Sequence, residues 1–275
     1  VVQFLRHHRD EVSGSSAALA ADAQAPVVPA RGRSWALRAG HAIFRHRDWV
    51  FPLVLLALGL AFAPAPPLGH WEWDPLVDAI GIALAVSGQA LRAVVIGLAY
   101  IRRGGKDKTI YADALVTEGV FAHSRNPLYV GNLLVLFGLF VIHGSPWVLL
   151  LGGAFFGTAY VLLVLSEEDY LRTRFGAAFD DYCRRVNRFL PSPRGFRDTV
   201  RGMRFDWARL VRKEYSSTFA WTSGAIALLA WEHLRQPDAA PRREIVVVAL
   251  VAWLPIVIAW AAARIAKKTG ALGHG

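Results

Sequence analysis

Arg125, Asn126 and Pro127 stand directly ahead of an apolar run in HSRNPLYVGNLL, residues 123–134, and Glu167 and Glu168 follow another apolar run in SEED, residues 166–169. An arginine beside a helix start can hold an anion, because the guanidinium forks onto a carboxylate and the first helical turn adds the positive end of a dipole. A carboxylate pair can hold an ammonium group or hydroxyls. Brought together, these groups could grip a zwitterion from both sides. Tyr129 would put a phenol near the same helix end, and Gly131 would leave a gap for a closely approaching group. The plainer alternative is a well-capped helix with Asn126 as its cap and Pro127 in its first turn, and with the carboxylates paired to Arg172 or Arg174 at a surface.

What positions these residues depends on the surrounding medium. A chain of 275 residues with 54% hydrophobic content and ten tryptophans is a poor fit to a soluble globule, and its mean hydropathy is +0.33. Apolar stretches able to cross a hydrocarbon core about 30 Å thick fall at Trp49–Ala63, Pro75–Ile101, Pro127–Ile142, Pro146–Leu165, Ser217–Leu234 and Ile245–Ile265. The pattern predicts an all-α, polytopic membrane bundle of about six spans. A cytoplasmic-side amphipathic helix should follow Glu168, with apolar residues at Leu171, Phe175, Phe179, Tyr182, Val186 and Phe189 and a break at Gly176. The third and fourth spans form a hairpin turning at His143–Pro146, whose Gly153 and Gly157 would allow close helix approach. This hairpin returns Glu167 and Glu168 to the membrane face that holds Arg125 and Asn126.

The net charge of +10 does not imply nucleic acid. With a cytoplasmic N-terminus, all but four of the 31 basic residues fall in inside segments; the exceptions are Arg92, within a span, and Arg235, Arg242 and Arg243, in the last outside loop. The positive-inside rule accounts for this distribution, and no nucleic-acid-reading module accompanies it. Both termini and the active site are therefore expected on the cytoplasmic side. The division expected is a tail and interfacial segment over 1–47, a membrane core over 48–193, and a basic linker with a terminal hairpin over 194–275. Cys183 is the one cysteine, which excludes a disulfide framework and a multi-cysteine metal site, and no metal site is expected. Oligomeric state has no signal in the sequence.

Arg92 lies nine residues before the end of the second span, with Gln89 on the same face. An ionisable group at that depth is a candidate for function, here binding of an acceptor headgroup or a cofactor, unless it snorkels to the surface.

The combination LVTEGVFAHSRNPLYVGNLL, the glycine-bearing hairpin, SEED and FGAAFDDYCRRVNRFLP resembles the core of the integral-membrane methyltransferases that include isoprenylcysteine carboxyl methyltransferase and phosphatidylethanolamine N-methyltransferase. The resemblance covers roughly residues 78–193. It implies S-adenosylmethionine as cofactor in a cytoplasm-facing pocket and a lipid or lipid-like acceptor entering from the bilayer. The positions it implies are Gly119, Arg125, Pro127, Tyr129, Gly131, Glu167 and Glu168, with Arg185 and Arg188 near the end of the motif. The carboxyl-methylating branch usually has Arg-His-Pro where this chain has Arg125-Asn126-Pro127, so a role for an imidazole proton does not carry over. NPLYVG followed by HGSP instead resembles the phospholipid-methylating branch, which tilts the acceptor toward a lipid amine. Methyl transfer needs chiefly proximity and alignment, since the cofactor supplies the activated leaving group. Glu167, Glu168 and Arg92 are the residues expected to carry the chemistry. A sterol-reductase-like NADPH enzyme and a non-catalytic scaffold or transporter are the competing classes.

Overall fold

The computed structural model describes residues 34–66, 69–98, 103–106, 109–112, 114–237 and 239–272. Residues 1–33 of the expected tail and interfacial segment lie outside them, and its remainder, from Trp35 on, is the first part of a helix. The helices are α1 (Trp35–Ala61), α2 (Asp74–Leu98), α3 (Pro127–Ile142), α4 (Gly153–Phe175), α5 (Ala177–Arg185), α6 (Phe196–Arg201), α7 (Trp207–His233) and α8 (Arg242–Lys268). The described residues of five of the six apolar stretches fall almost wholly within α1, α2, α3, α7 and α8, while Pro146–Leu165 takes in the turn at Val148–Gly152 and the first half of α4. Three helical stretches, Trp71–Leu98, Val148–Phe175 and Arg242–Lys268, are long and apolar enough to cross a membrane, and Pro127–Ile142 is a shorter apolar helix.

Among the described residues, a pair of strands departs from the helical pattern between α2 and α3. Strands β1 (Arg103–Lys106) and β2 (Thr109–Ala112) pair antiparallel, with Arg103 opposite Ala112 and Lys106 opposite Thr109. This connector has no helical apolar period, so its backbone groups find partners across a tight hairpin instead.

Glycines set the central packing. A Cβ added at Gly81 would lie 2.7 Å from the Gly138 carbonyl, and one at Gly88 would lie 2.6 Å from the Gly131 carbonyl. The two pairs repeat at seven-residue spacing along α2 and α3, which lets the backbones meet with no side chain between them. Gly40 does the same for α1 and α4, where a Cβ would meet the Leu162 carbonyl at 2.2 Å. Gly157 was expected to serve such a contact but faces open space, while Gly153 meets only the Phe137 ring.

The α3–α4 hairpin turns at Gly144, which has φ +68° and sits so close to Ala65 that a Cβ would clash with its carbonyl. A π-turn at Val148–Gly152 leads into α4, which runs unbroken past Glu167 and Glu168 to Phe175. Gly176, at φ +51°, ends it and starts α5. The expected break is therefore present, but the expected interfacial face is not turned to lipid. Leu171, Phe179, Tyr182 and Val186 are buried in a cluster with Ala112.

The terminal hairpin is tied to α2 at its base. Asp206 caps α7 by accepting from the Arg209 amide at 2.8 Å, and its own amide donates to the Gly97 carbonyl at 2.8 Å. Helix α8 packs on α7 and buries none of its own residues, so its Val, Leu and Ile side chains form an apolar outer surface suited to lipid.

Candidate active site

Two strips of chain about sixty residues apart are joined by hydrogen bonds at the start of α3. The Arg125 amide donates to the Asn187 carbonyl at 3.0 Å, and the Ser192 amide donates to the His123 carbonyl at 2.9 Å. Side chains extend the seam: Ser124 Oγ donates to the Phe189 carbonyl at 3.0 Å, Asn126 Nδ2 to the Arg188 carbonyl at 3.1 Å, and Tyr182 Oη to the Phe121 carbonyl at 2.8 Å. His123 contributes both ring nitrogens, to the Ser192 carbonyl at 2.8 Å and Thr199 Oγ1 at 3.0 Å. Gly119, at φ +61° and packed on Met203, opens the 3₁₀ turn that leads into the seam.

This seam explains the polar tripeptide ahead of an apolar helix. Asn126 is not a side-chain cap, since its amide holds the facing strip while its carbonyl accepts from the Tyr129 and Val130 amides at 3.1 and 3.2 Å. Pro127 occupies the first helical position, where its missing N–H costs nothing.

The seam delivers Arg188 to Glu168. Arg188 Nε and Nη2 reach Glu168 Oε1 and Oε2 at 3.0 and 2.8 Å, and Arg125 Nη2 lies 3.3 Å from Oε1. Two guanidiniums thus share one buried carboxylate, and the hydrogen bond to Glu168 raises Arg188 further above the ordinary arginine value. Arg125 is nearly buried, and among the described residues its Nε has no hydrogen-bond partner. Glu167, also buried, accepts from the Tyr129 hydroxyl. Of the two surface arginines offered as partners, Arg172 holds Asp180 at 2.8 Å on the exposed side, and Glu168 is bonded by Arg188 and Arg125. Arg185 is likewise exposed, with its Nε 3.4 Å from the Asp181 carbonyl of its own helix, and does not join the cluster.

A second polar group lies deeper. Arg92 Nε and Nη2 pair with Glu214 Oε2 and Oε1 at 2.8 and 2.6 Å, and Arg92 Nη1 donates to Asn132 Oδ1. Gln89 Nε2 joins Glu214 at 3.1 Å, while Trp221 Nε1 donates to Gln89 Oε1 at 2.9 Å. Arg92 therefore neither snorkels nor stands open to a ligand, because a carboxylate from α7 neutralises it. Sequence reading missed Glu214 as its partner; the signal was a lone acid just ahead of the fifth apolar stretch, complementary to a lone base within the second. Gly131 is corrected with it, since the space beside it holds the Arg92 stem and the Gly88 carbonyl. Tyr160 of α4 lies between the two groups: its ring meets that of Tyr129 at 5.2 Å between centroids in a tilted arrangement, and it lies beside Asn132 of α3.

A cavity of about 380 Å³ opens next to the α3 start, lined by Leu91, Val120, Pro127, Pro193 and Phe196 with His123 and Ser124 at its polar edge. Its walls are mostly apolar, and it adjoins the strip that carries Arg125.

Residues 78–178 match the phospholipid methyltransferase family, which bears out the resemblance read from the motifs. The chain is also similar to two curated proteins. It is 29% identical over 158 residues to the nickel-cobalt-cadmium resistance protein NccN of Alcaligenes xylosoxydans xylosoxydans, covering 54% of this chain and 65% of that protein. It is 32% identical over 156 residues to the cobalt-zinc-cadmium resistance protein CzcN of Cupriavidus metallidurans, covering 54% of this chain and 64% of that protein. The chain thus spans a little under two thirds of the length of these relatives. No solved structure matches it. The matched segment takes in most of α2 and all of α3 and α4, and among the described residues three helical stretches are long and apolar enough to cross a membrane.

Proposed function

We propose that this chain transfers a methyl group from S-adenosylmethionine to a lipid-like acceptor, with a lipid amine as the favoured class. The observation that carries the reading is the Arg125–Glu168–Arg188 cluster, inside and just beyond the matched segment, with Tyr129 on Glu167 at its side. The residues fit a zwitterionic amino-acid moiety. The buried Arg125 guanidinium keeps a spare donor at Nε for a carboxylate, while Glu167 offers a carboxylate for an ammonium group or ribose hydroxyls. When bound, the cofactor supplies an activated methyl on a sulfonium. The chain's own work is to hold, align and exclude water, with Glu168 fixing the two guanidiniums and the 121–126 strip fixing Arg125. The mostly apolar cavity beside Pro127 suits an acceptor with an apolar portion.

Arg92 acts in this reading as a positioning residue: it holds α2, α3 and α7 in register beneath Tyr129. The six spans, the cytoplasmic placement of both termini and of residues 102–126 and 166–216, and the division at 48 and 193 are part of the same proposal. They rest on the charge distribution. The relatives' names tie them to cobalt, cadmium, nickel and zinc resistance, so the acceptor is sought in cells grown with and without cobalt. Membranes carrying the chain are supplied with isotope-labelled S-adenosylmethionine, and the lipid extract is read by mass spectrometry. A labelled lipid amine is expected, and it should be absent with Arg125→Ala. Label in a carboxyl ester would move the acceptor to the carboxyl-methylating class. Absence of label together with binding of NADPH would replace methyl transfer by reduction.

A further inference from the structure

At the end of the bundle away from Arg125, three carboxylates converge from two helices. Asp74 and Asp78 lie one turn apart at the start of α2, and Glu232 lies in the last turn of α7. Their ligand oxygens all fall within 4.8 Å of one another. All three residues are buried, at 2%, 8% and 1% exposure.

We propose that Asp74, Asp78 and Glu232 form a binding site for a hard divalent cation of the Mn²⁺, Ca²⁺ or Mg²⁺ class. Among the described residues, neither oxygen of Glu232 nor Oδ1 of Asp78 has a hydrogen-bond partner, and no basic side chain forms an ion pair with any of the three. Arg235 Nε donates to the Pro64 carbonyl at 3.1 Å, and His233, whose Nδ1 lies 2.8 Å from the Leu229 carbonyl, is near enough to Asp78 to act on it electrostatically when protonated but forms no ion pair with it. Buried carboxylates without donors repel one another, and a dication between them answers both the missing partners and the charge. Oxygen-only donors select the hard cations. Metal–oxygen bonds of about 2.0–2.6 Å place two ligand oxygens at most about 5 Å apart, which accommodates the observed spacing.

The surroundings are built to hold such a group. Gln236 Nε2 donates to Asp74 Oδ2 at 2.8 Å, the kind of outer contact that fixes a ligand carboxylate. The Gly144 turn closes over Glu232, and a Cβ at Gly144 would lie 3.6 Å from Oε1. The neighbouring His143 is 3% exposed, with both ring nitrogens lacking hydrogen-bond partners among the described residues. The cation would tie α2 to the end of α7, clamping the terminal hairpin at the end opposite its Gly97 anchor.

The test uses the full chain in detergent, stripped with a chelator and titrated with Mn²⁺ followed by electron paramagnetic resonance. One tightly held Mn²⁺ per chain is expected, displaced by excess Ca²⁺ or Mg²⁺, with affinity at least tenfold weaker in Glu232→Gln and in Asp78→Asn. Mn²⁺ should raise the melting temperature of the parent and leave that of Glu232→Gln unchanged. Should Glu232→Gln not fold, Asp78→Asn and the parent titration decide. A parent that holds no stoichiometric Mn²⁺ overturns the site, as does equal binding by parent and variants. A Glu232→Gln chain that melts above the parent in Mn²⁺ assigns the cluster to shared protons instead.

Discussion

Arg92 on α2 and Glu214 on α7, 122 residues apart, meet in a bidentate pair with contacts of 2.8 and 2.6 Å. Both side chains are nearly withdrawn from solvent, at 14% and 5% exposure. The pair binds the terminal hairpin into the part of the chain that matches the methyltransferase family, and Asn132 links it to α3. An ionised group deep in an apolar helix persists because its counter-charge arrives from another helix in forked geometry.

Glu214→Ala should therefore be among the most destabilising single changes in the chain. Removing one member of a buried pair costs about 3–5 kcal/mol, because the other charge stays behind uncompensated. Replacing both members, as Arg92→Met with Glu214→Leu, should recover most of that loss. Thermal unfolding in detergent reads the difference. A Glu214→Ala protein that melts close to the parent would show that water already reaches Arg92.

Glu168→Gln should disable the candidate active site while leaving the fold in place. It removes the charge that Arg125 and Arg188 share at Glu168, and truncating such a buried charged contact costs about 2–5 kcal/mol, or roughly thirty- to several-thousand-fold in binding. Arg188 is 39% exposed and Arg125 11%, so Arg125→Ala should exceed Arg188→Ala in effect. Cofactor affinity measured by calorimetry ranks the three variants. Full affinity in Glu168→Gln would leave the cluster a structural clasp.

Sequence reasoning reached the return of Glu167 and Glu168 to Arg125, because a hairpin of two apolar runs leaves no other placement for its ends. The helix break at Gly176 was also legible, since a glycine between two polar turns marks a reversal. Partner identity was not. Glu168 takes Arg188 rather than Arg172, and Arg92 takes Glu214, because these choices follow from the seam and from helix order, which no local pattern encodes. Asp74, Asp78 and Glu232 were missed for the same reason: the third carboxylate comes from α7, more than 150 residues on. The hairpin at 103–112 was hidden by a short, mixed composition that favours neither period.

Gly131→Ala separates two uses of a glycine. Its Cβ would enter the Arg92 Cγ at 2.6 Å and the Gly88 carbonyl at 2.9 Å. Overpacking of that kind costs about 1–3 kcal/mol. The expected result is a lowered melting temperature, with a similar loss in Gly88→Ala. An unchanged melting temperature together with lost cofactor affinity would return Gly131 to the cofactor pocket.

Asn126 is decided by the order of three substitutions. Its amide donates to the Arg188 carbonyl at 3.1 Å in a position 5% exposed, so its side chain is valued for the donor it carries. Serine is too short to reach that carbonyl, and alanine has no donor, so both should lose about 1–3 kcal/mol by leaving a buried acceptor unmet. Aspartate sets a second acceptor against the first and adds a buried charge, so it should be the worst of the three. A capping residue would give the reverse order, with aspartate and serine near the parent and alanine lowest. Melting temperatures of Asn126→Ser, Asn126→Ala and Asn126→Asp in detergent distinguish the two. Because the Arg188 carbonyl and guanidinium belong to one residue, slippage of the seam should also lower cofactor affinity in the same order; an aspartate variant as stable as the parent would show that Asn126 does not hold the strip that carries Arg188.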